Sequence, residues 1–223
     1  SAVPVAAQAV ADNTRNVVSH LCNLLAMGSL RFSFGTMSSG KSTLALQIHH
    51  NLSGTSTGLL CSMHDRAGAQ VSSALGVSTP AIEVDPALNF ESLAISHRAS
   101  YGALDYLVCD EAQFYTDSQV EQLARVVDEM DVDVYAFGLL TDFRGKLFPG
   151  SARLLEIADQ RHELQVQARC WCGEPATHNA RLHDGVQVYD GDVVLIDDGS
   201  TAKVTYELRC RNHWISGQAG PIA

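Results

Sequence analysis

Gly35-Thr36-Met37-Ser38-Ser39-Gly40-Lys41-Ser42 is the stretch whose reading decides the fold of this chain. It fits the spacing G-x-x-x-x-G-K-[ST], the signature of a loop that wraps the phosphates of a nucleoside triphosphate. Phosphate oxygens need many closely spaced donors, and Gly35 and Gly40 let the backbone curl with its N–H groups pointing inward. Lys41 would reach the β- and γ-phosphates, and the Ser42 hydroxyl would hold Mg²⁺. The flanks agree with this reading. Leu30-Arg31-Phe32-Ser33-Phe34 alternates as a strand does, while Leu44, Ala45, Ile48 and Leu52 recur at helical spacing. A helix starting at the loop would add its positive dipole end to the phosphate site.

Working outward, residues 58–63 read as a second buried strand and 81–84 as a short one. Another apolar run, 104–109, leads into Asp110-Glu111. Val120, Leu123, Ala124 and Val127 mark a helix that should end at the acidic turn 128–133, before a further buried strand at 134–139. Strands alternating with helices imply a mostly parallel sheet covered on both faces, an α/β phosphate-loop NTPase-like domain over 29–162. The carboxylates at the end of the 104–109 run suit a Mg²⁺ site, and an adjacent one could take a proton from an attacking hydroxyl. Strand alternation would send Asp110 and Glu111 to different sides, one serving metal and one serving as base.

Beyond Asp159 the pattern changes. Residues 163–169 alternate, Cys170-Trp171-Cys172-Gly173 reads as a tight turn, and Asp184-Gly185 and Asp190-Gly191 read as hairpin turns between short β-runs. A last strand and a second turn follow over 206–213. Cys170 and Cys172 stand well upstream of Cys210 and His213, and two turns presenting two ligands each suit tetrahedral Zn²⁺. His178 or His183 could replace one of the four. The expectation is a small zinc-ribbon-like β module at 163–214, too small to rely on a core of its own, followed by a loose tail at 215–223.

With 223 residues the chain has room for one ordinary domain and a small one. Its formal net charge of −10 argues against a general nucleic-acid grip, which depends on Lys/Arg patches. No apolar run approaches the roughly 20 residues of a membrane-spanning helix. The opening residues 1–7 carry no basic region followed by an apolar core, so no secretory signal is read. Cys22, Cys61 and Cys109 sit singly in apolar segments, as buried reduced thiols do, and the overall cysteine usage fits a reducing, cytoplasmic compartment. Val17, Val18, Leu21, Leu24 and Leu25 point to a short amphipathic helix within an N-terminal extension at 1–28, to which no chemistry is assigned.

Taken together, the motifs between Leu30 and His213 resemble those of the type II thymidine kinases. That family has a G-P-M-F-S-G-K-[ST] loop, matched by Gly35 to Ser42, and D-E-[AG]-Q-F, matched by Asp110 to Phe114. Its G-L-x-x-[DT]-F-[RQ] segment is followed by Gly138 to Phe148, and its Tyr before a C-R-x-[CH] turn by Tyr206 and Cys210 to His213.

The resemblance implies transfer of the ATP γ-phosphate to the 5′-hydroxyl of thymidine, and of deoxyuridine, in pyrimidine salvage. Glu111 would be the general base and Asp110 would lie near Mg²⁺, with Gln113 and Arg66 at the phosphate side. Met37, Phe114, Leu139, Phe143, Phe148 and Tyr206 would line the pyrimidine pocket. Asn179 stands where the family usually has a Thr that contacts the base, and main-chain groups from Val194 onward would reach the base edge from a lasso-like loop. ATP, Mg²⁺ and structural Zn²⁺ would be the cofactors and a homotetramer the assembly. A phosphate-loop ATPase of another function, or a nucleotide-binding zinc-ribbon module without turnover, also fits parts of the chain. The acidic composition argues against the first, and intact Lys41, Ser42, Asp110 and Glu111 against the second.

Overall fold

The computed structural model describes residues 28–63, 69–164, 168–193, 203–218 and 220. The N-terminal helix, Arg66 and the lasso segment from Val194 therefore lie outside the described residues. Strand β1, Leu30–Phe34, runs through the phosphate loop into helix α1, Lys41–Ser53. Strand β2, Gly58–Ser62, is followed by a hairpin of β3, Gln70–Ser72, and β4, Ser78–Pro80, and then by β5, Ile82–Glu83. Helix α2, Phe90–Tyr101, leads to β6, Tyr106–Asp110, a single 3₁₀ turn at Ala112–Phe114, and α3, Asp117–Met130. Strand β7, Asp133–Gly138, helix α4, Pro149–Ile157, and β8, Gln160–Glu163, complete the larger unit.

Six of these strands form one sheet in the order β5-β2-β6-β7-β1-β8, and every pairing in it is parallel. A parallel sheet is covered on both faces, and β6 is buried along its whole length. Leu107 and Cys109 pack with Phe32, Val134 and Leu123 on one face, while Tyr106 and Val108 pack with Ala45, Leu46 and Phe137 on the other. The mostly parallel α/β sheet expected from the strand–helix alternation is thus borne out. No described helix is long and apolar enough to cross a membrane.

Helix α3 is held at its start by a capping box between Thr116 and Gln119, and it ends where Asp131 turns left-handed with φ 54°. Sequence periodicity does not mark α2 or α4, because neither needs a broad apolar stripe. Helix α2 buries little beyond Phe90 and Ala94 and is set by Asn89, whose side chain accepts the Ser92 N–H. Helix α4 starts on Pro149 and packs through Gly150, where a Cβ would lie 2.5 Å from the Ala112 carbonyl oxygen.

The small module holds β9, His178–His183, β10, Val186–Val188, β11, Val204–Arg209, and helix α5, Arg211–Ser216. The strands are antiparallel in the order β10-β9-β11. Asp184 and Gly185, both at positive φ, make the expected tight turn between β9 and β10. Asp190-Gly191 is not a second hairpin turn: β11 returns to pair with β9, not β10. Residues 160–163 pair in parallel with β1 as an edge strand of the larger sheet, which the sequence reading did not mark, and 165–167 of the alternation expected at 163–169 lie outside the described residues. The second metal turn opens a helix that runs to Ser216, past the expected start of the tail.

Candidate active site and metal cluster

The phosphate loop leaves the C-terminal end of β1 beside the ends of β6 and β7, where open α/β sheets bind their ligands. The Gly35 N–H donates to the Gly138 carbonyl at 3.3 Å, tying the loop to β7. A Cβ at Gly35 would lie 2.5 Å from Ser39 Oγ and 2.9 Å from the Leu164 oxygen, so only glycine fits this cradle. Gly40, at φ 81°, turns the chain into α1. Ser39 Oγ is buried with no hydrogen-bond partner, which suits a ligand oxygen in the loop. Lys41 is itself buried, and Nζ donates to the Thr36 carbonyl at 2.8 Å. Burial pulls its pKa down, while the charges of Glu111 and Asp110 push it back up.

Asp110 ends β6 and is 3% exposed. Burial, with the charge of Glu111, raises its pKa to about 6 against the opposing pull of the Ser42 hydroxyl, the Glu111 N–H and Lys41. The Ser42 hydroxyl is among the groups that hold the pKa of this carboxylate down, so the two side chains expected at a Mg²⁺ site act on one another. Glu111 does not continue the strand. Its backbone turns left-handed, φ 54° and ψ 32°, so alternation no longer applies and both carboxylates act on Lys41. The expectation that they diverge to different sides is corrected on this ground.

Gln113 is fully buried beneath them. Its Nε2 donates to Glu111 Oε2 at 2.5 Å, and its Oε1 accepts the Leu139 N–H at 3.0 Å. A Cβ at Gly138 would come within 2.8 Å of that Oε1, so a glycine at the end of β7 makes room for the amide. Leu139 is fixed again through its carbonyl, which accepts Ser151 Oγ at 2.6 Å.

The ring-bearing residues fall into two groups. Phe114 and Phe148 meet edge to face with centroids 5.5 Å apart. Phe143, buried, lies 3.7 Å beneath the Arg181 guanidinium, whose Nε donates to the Tyr206 hydroxyl at 2.9 Å. Met37 reaches the small module through its N–H, which donates to Asn179 Oδ1 at 2.9 Å. A cavity of about 380 Å³ opens beside this contact, lined among others by Gly35, Thr36, Thr141, Glu163, His178 and Asn179. Arg181 carries no mark in the sequence, since an arginine on a short alternating strand reads as a solvated side chain.

Cys170, Cys172, Cys210 and His213 bring one ligand atom each within 4.8 Å of one another. Cys172 and Cys210 Sγ are 4.0 Å apart, and His213 Nδ1 lies 3.3 Å from Cys170 Sγ and 3.4 Å from Cys210 Sγ. A tetrahedron with Zn–S bonds of about 2.3 Å has edges of about 3.8 Å, so the donor set and its spacing fit zinc. Burial raises the Cys170 thiol pKa, but the Cys172 and Cys210 N–H groups and the His213 ring bring it down to about 6. Gly173, at φ 89°, closes the C-x-C turn, and Trp171 stacks on His213 at 4.1 Å. His178 instead stacks on Trp214, apart from the four.

Comparison with known proteins follows the same lines. Residues 28–214 match the family model described as thymidine kinase. The chain is 50% identical over 200 residues to the thymidine kinase of Cutibacterium acnes, covering 88% of this chain and 93% of that one. It is 51% identical over 191 residues to the Streptomyces coelicolor thymidine kinase, covering 84% and 88%. With the Ruegeria pomeroyi thymidine kinase the identity is 40% over 202 residues, covering 88% and 98%. A Pif1 helicase from Candida albicans overlaps 66% of this chain and 38% of its own at a TM-score of 0.37 and 17% identity, too distant to bear on function. On its phosphate loop, its acidic strand end and this match over most of its length, the chain belongs to the thymidine kinase family.

Proposed function

We propose that the protein transfers the γ-phosphoryl group of ATP to the 5′-hydroxyl of thymidine, with deoxyuridine as a second substrate. The observation that carries this reading is the meeting of Lys41, Ser42, Asp110 and Glu111 at the ends of β1 and β6 in a chain of this family. The loop N–H groups and Lys41 hold the triphosphate and stabilise charge on the transferring group. Ser42 and Asp110 would hold Mg²⁺, which supplies charge neutralisation between the phosphates when bound. Glu111 takes the proton of the 5′-hydroxyl, and Gln113 keeps that carboxylate aimed by its amide hydrogen bond.

Met37, Phe114, Leu139, Phe143, Phe148 and Tyr206 enclose the pyrimidine, with Asn179 and main-chain groups from Val194 onward at its polar edge. A flat ring is well held between aromatic and thioether groups. Arg66 serves the transferring phosphate. Zinc at the Cys₃His cluster would be structural, holding 163–214 as a module against the kinase domain at 29–162. A cytoplasmic homotetramer completes the proposal, on the family's pattern.

The test is incubation with Mg-ATP and thymidine, deoxyuridine, deoxycytidine or deoxyadenosine, measuring each monophosphate. Thymidine monophosphate is the expected main product. ATP hydrolysis without any nucleoside monophosphate would sink the proposal.

A further inference from the structure

Arg181 sits in the middle of β9 with 3% of its surface exposed. Among the described residues no carboxylate lies within ion-pair distance of it. Its guanidinium engages four neutral groups instead. Nε donates to the Tyr206 hydroxyl at 2.9 Å, one terminal nitrogen to the Asp192 carbonyl at 2.5 Å and the other to the Val193 carbonyl at 2.8 Å. The plane lies 3.7 Å from the centroid of Phe143. A buried charge with neutral partners is costly, and stability alone favours an apolar side chain at such a position.

The groups it joins come from different parts of the fold. Tyr206 is directly opposite Arg181 in the antiparallel register, so the two side chains share a face. Phe143 belongs to the connection after β7, in the larger unit. Because Nε donates to the Tyr206 oxygen, the tyrosine proton is left to donate elsewhere, toward a carbonyl or hydroxyl oxygen.

We propose that Arg181 is a positioning residue for the nucleoside: it fixes the separation of the Phe143 ring and the Tyr206 hydroxyl and the direction in which that hydroxyl donates. The inference rests on the reading of Phe143 and Tyr206 as pocket residues. Lysine cannot replace it, because a point charge offers neither the flat stacking face nor the fork of donors.

The test uses the full chain and its variants Arg181→Lys, Arg181→Met, Tyr206→Phe and the Arg181→Met/Tyr206→Phe pair. KM and kcat are measured for thymidine and for ATP, with zinc content beside them. Arg181→Met is expected to raise KM for thymidine about tenfold, to leave KM for ATP within about twofold, and to do clearly less harm in the Tyr206→Phe background. Arg181→Lys should recover only a minor part of the loss. It also decides the matter if the methionine variant does not fold. An unchanged thymidine KM, full additivity in the cycle or full rescue by lysine would overturn the proposal. A wild-type protein that phosphorylates no pyrimidine deoxynucleoside would instead remove the pocket reading beneath it.

Discussion

Asn179 Oδ1 accepts the N–H of Met37 at 2.9 Å, across 142 positions of sequence. This one bond joins β9 of the small module to the centre of the phosphate loop. The loop takes its shape from its glycines, and this contact ties it to the small module.

Replacing Asn179 by alanine therefore leaves a half-buried backbone donor without its protein acceptor, a loss of about 1–3 kcal/mol. The expected outcome is about tenfold or greater weakening of ATP binding by titration calorimetry. Unchanged affinity would show that the loop holds its place without the module.

Glu111→Gln removes the proton acceptor while keeping the size and the hydrogen-bonding reach of the side chain. Turnover should fall about 10²-fold or more, with ATP binding retained. Single-turnover kinetics check this, and a near-wild-type rate would take the base role away from Glu111.

Asp110 links the site to pH. Its pKa is raised from 3.8 to about 6, so between those values the unfolded chain has lost the proton that the fold still keeps. Stability then falls as pH rises through this window and the penalty is complete above it. Asp110→Asn removes the penalty and should stabilise the metal-free protein by about 3 kcal/mol at neutral pH, an advantage that fades near pH 4. Thermal melts across that range measure it, and the same variant should lose Mg²⁺-dependent activity. A constant difference at all pH values would mean that Asp110 titrates as an exposed carboxylate does.

The Cys₃His cluster predicts a stability dependence on metal. Chelation, or Cys210→Ser, should lower the melting temperature by several degrees, because metal binding free energy becomes folding free energy. Trp171 stacks on His213, so its fluorescence should change in step with metal loss. Unaltered melting, together with no zinc by elemental analysis, would contradict the site.

Some of this is legible in the sequence alone. The phosphate loop is a local object: its glycines, lysine and serine act through backbone geometry within one turn, and the strand before it and the helix after it carry their own periods. The grouping of Cys170, Cys172, Cys210 and His213 was legible for a similar reason, since two short turns announce themselves by spacing. Helices α2 and α4 were not, because a cap, a proline and a close-packed glycine hold them without a strong apolar stripe. Nor was the edge strand β8, whose four exposed polar residues carry no apolar signal and which is defined only by its pairing with β1.

The sequence by itself determined the chemistry that each segment can offer: a phosphate loop, an acidic strand end and two turns that bring three cysteines and a histidine together. Only the tertiary structure decided how they are aimed. The left-handed turn at Glu111 brings two carboxylates to one lysine, Gln113 bridges Glu111 to β7, and Arg181 joins Phe143 to Tyr206. Most of these contacts join residues far apart in the chain, and a long-range hydrogen bond leaves no period or spacing behind it in the sequence.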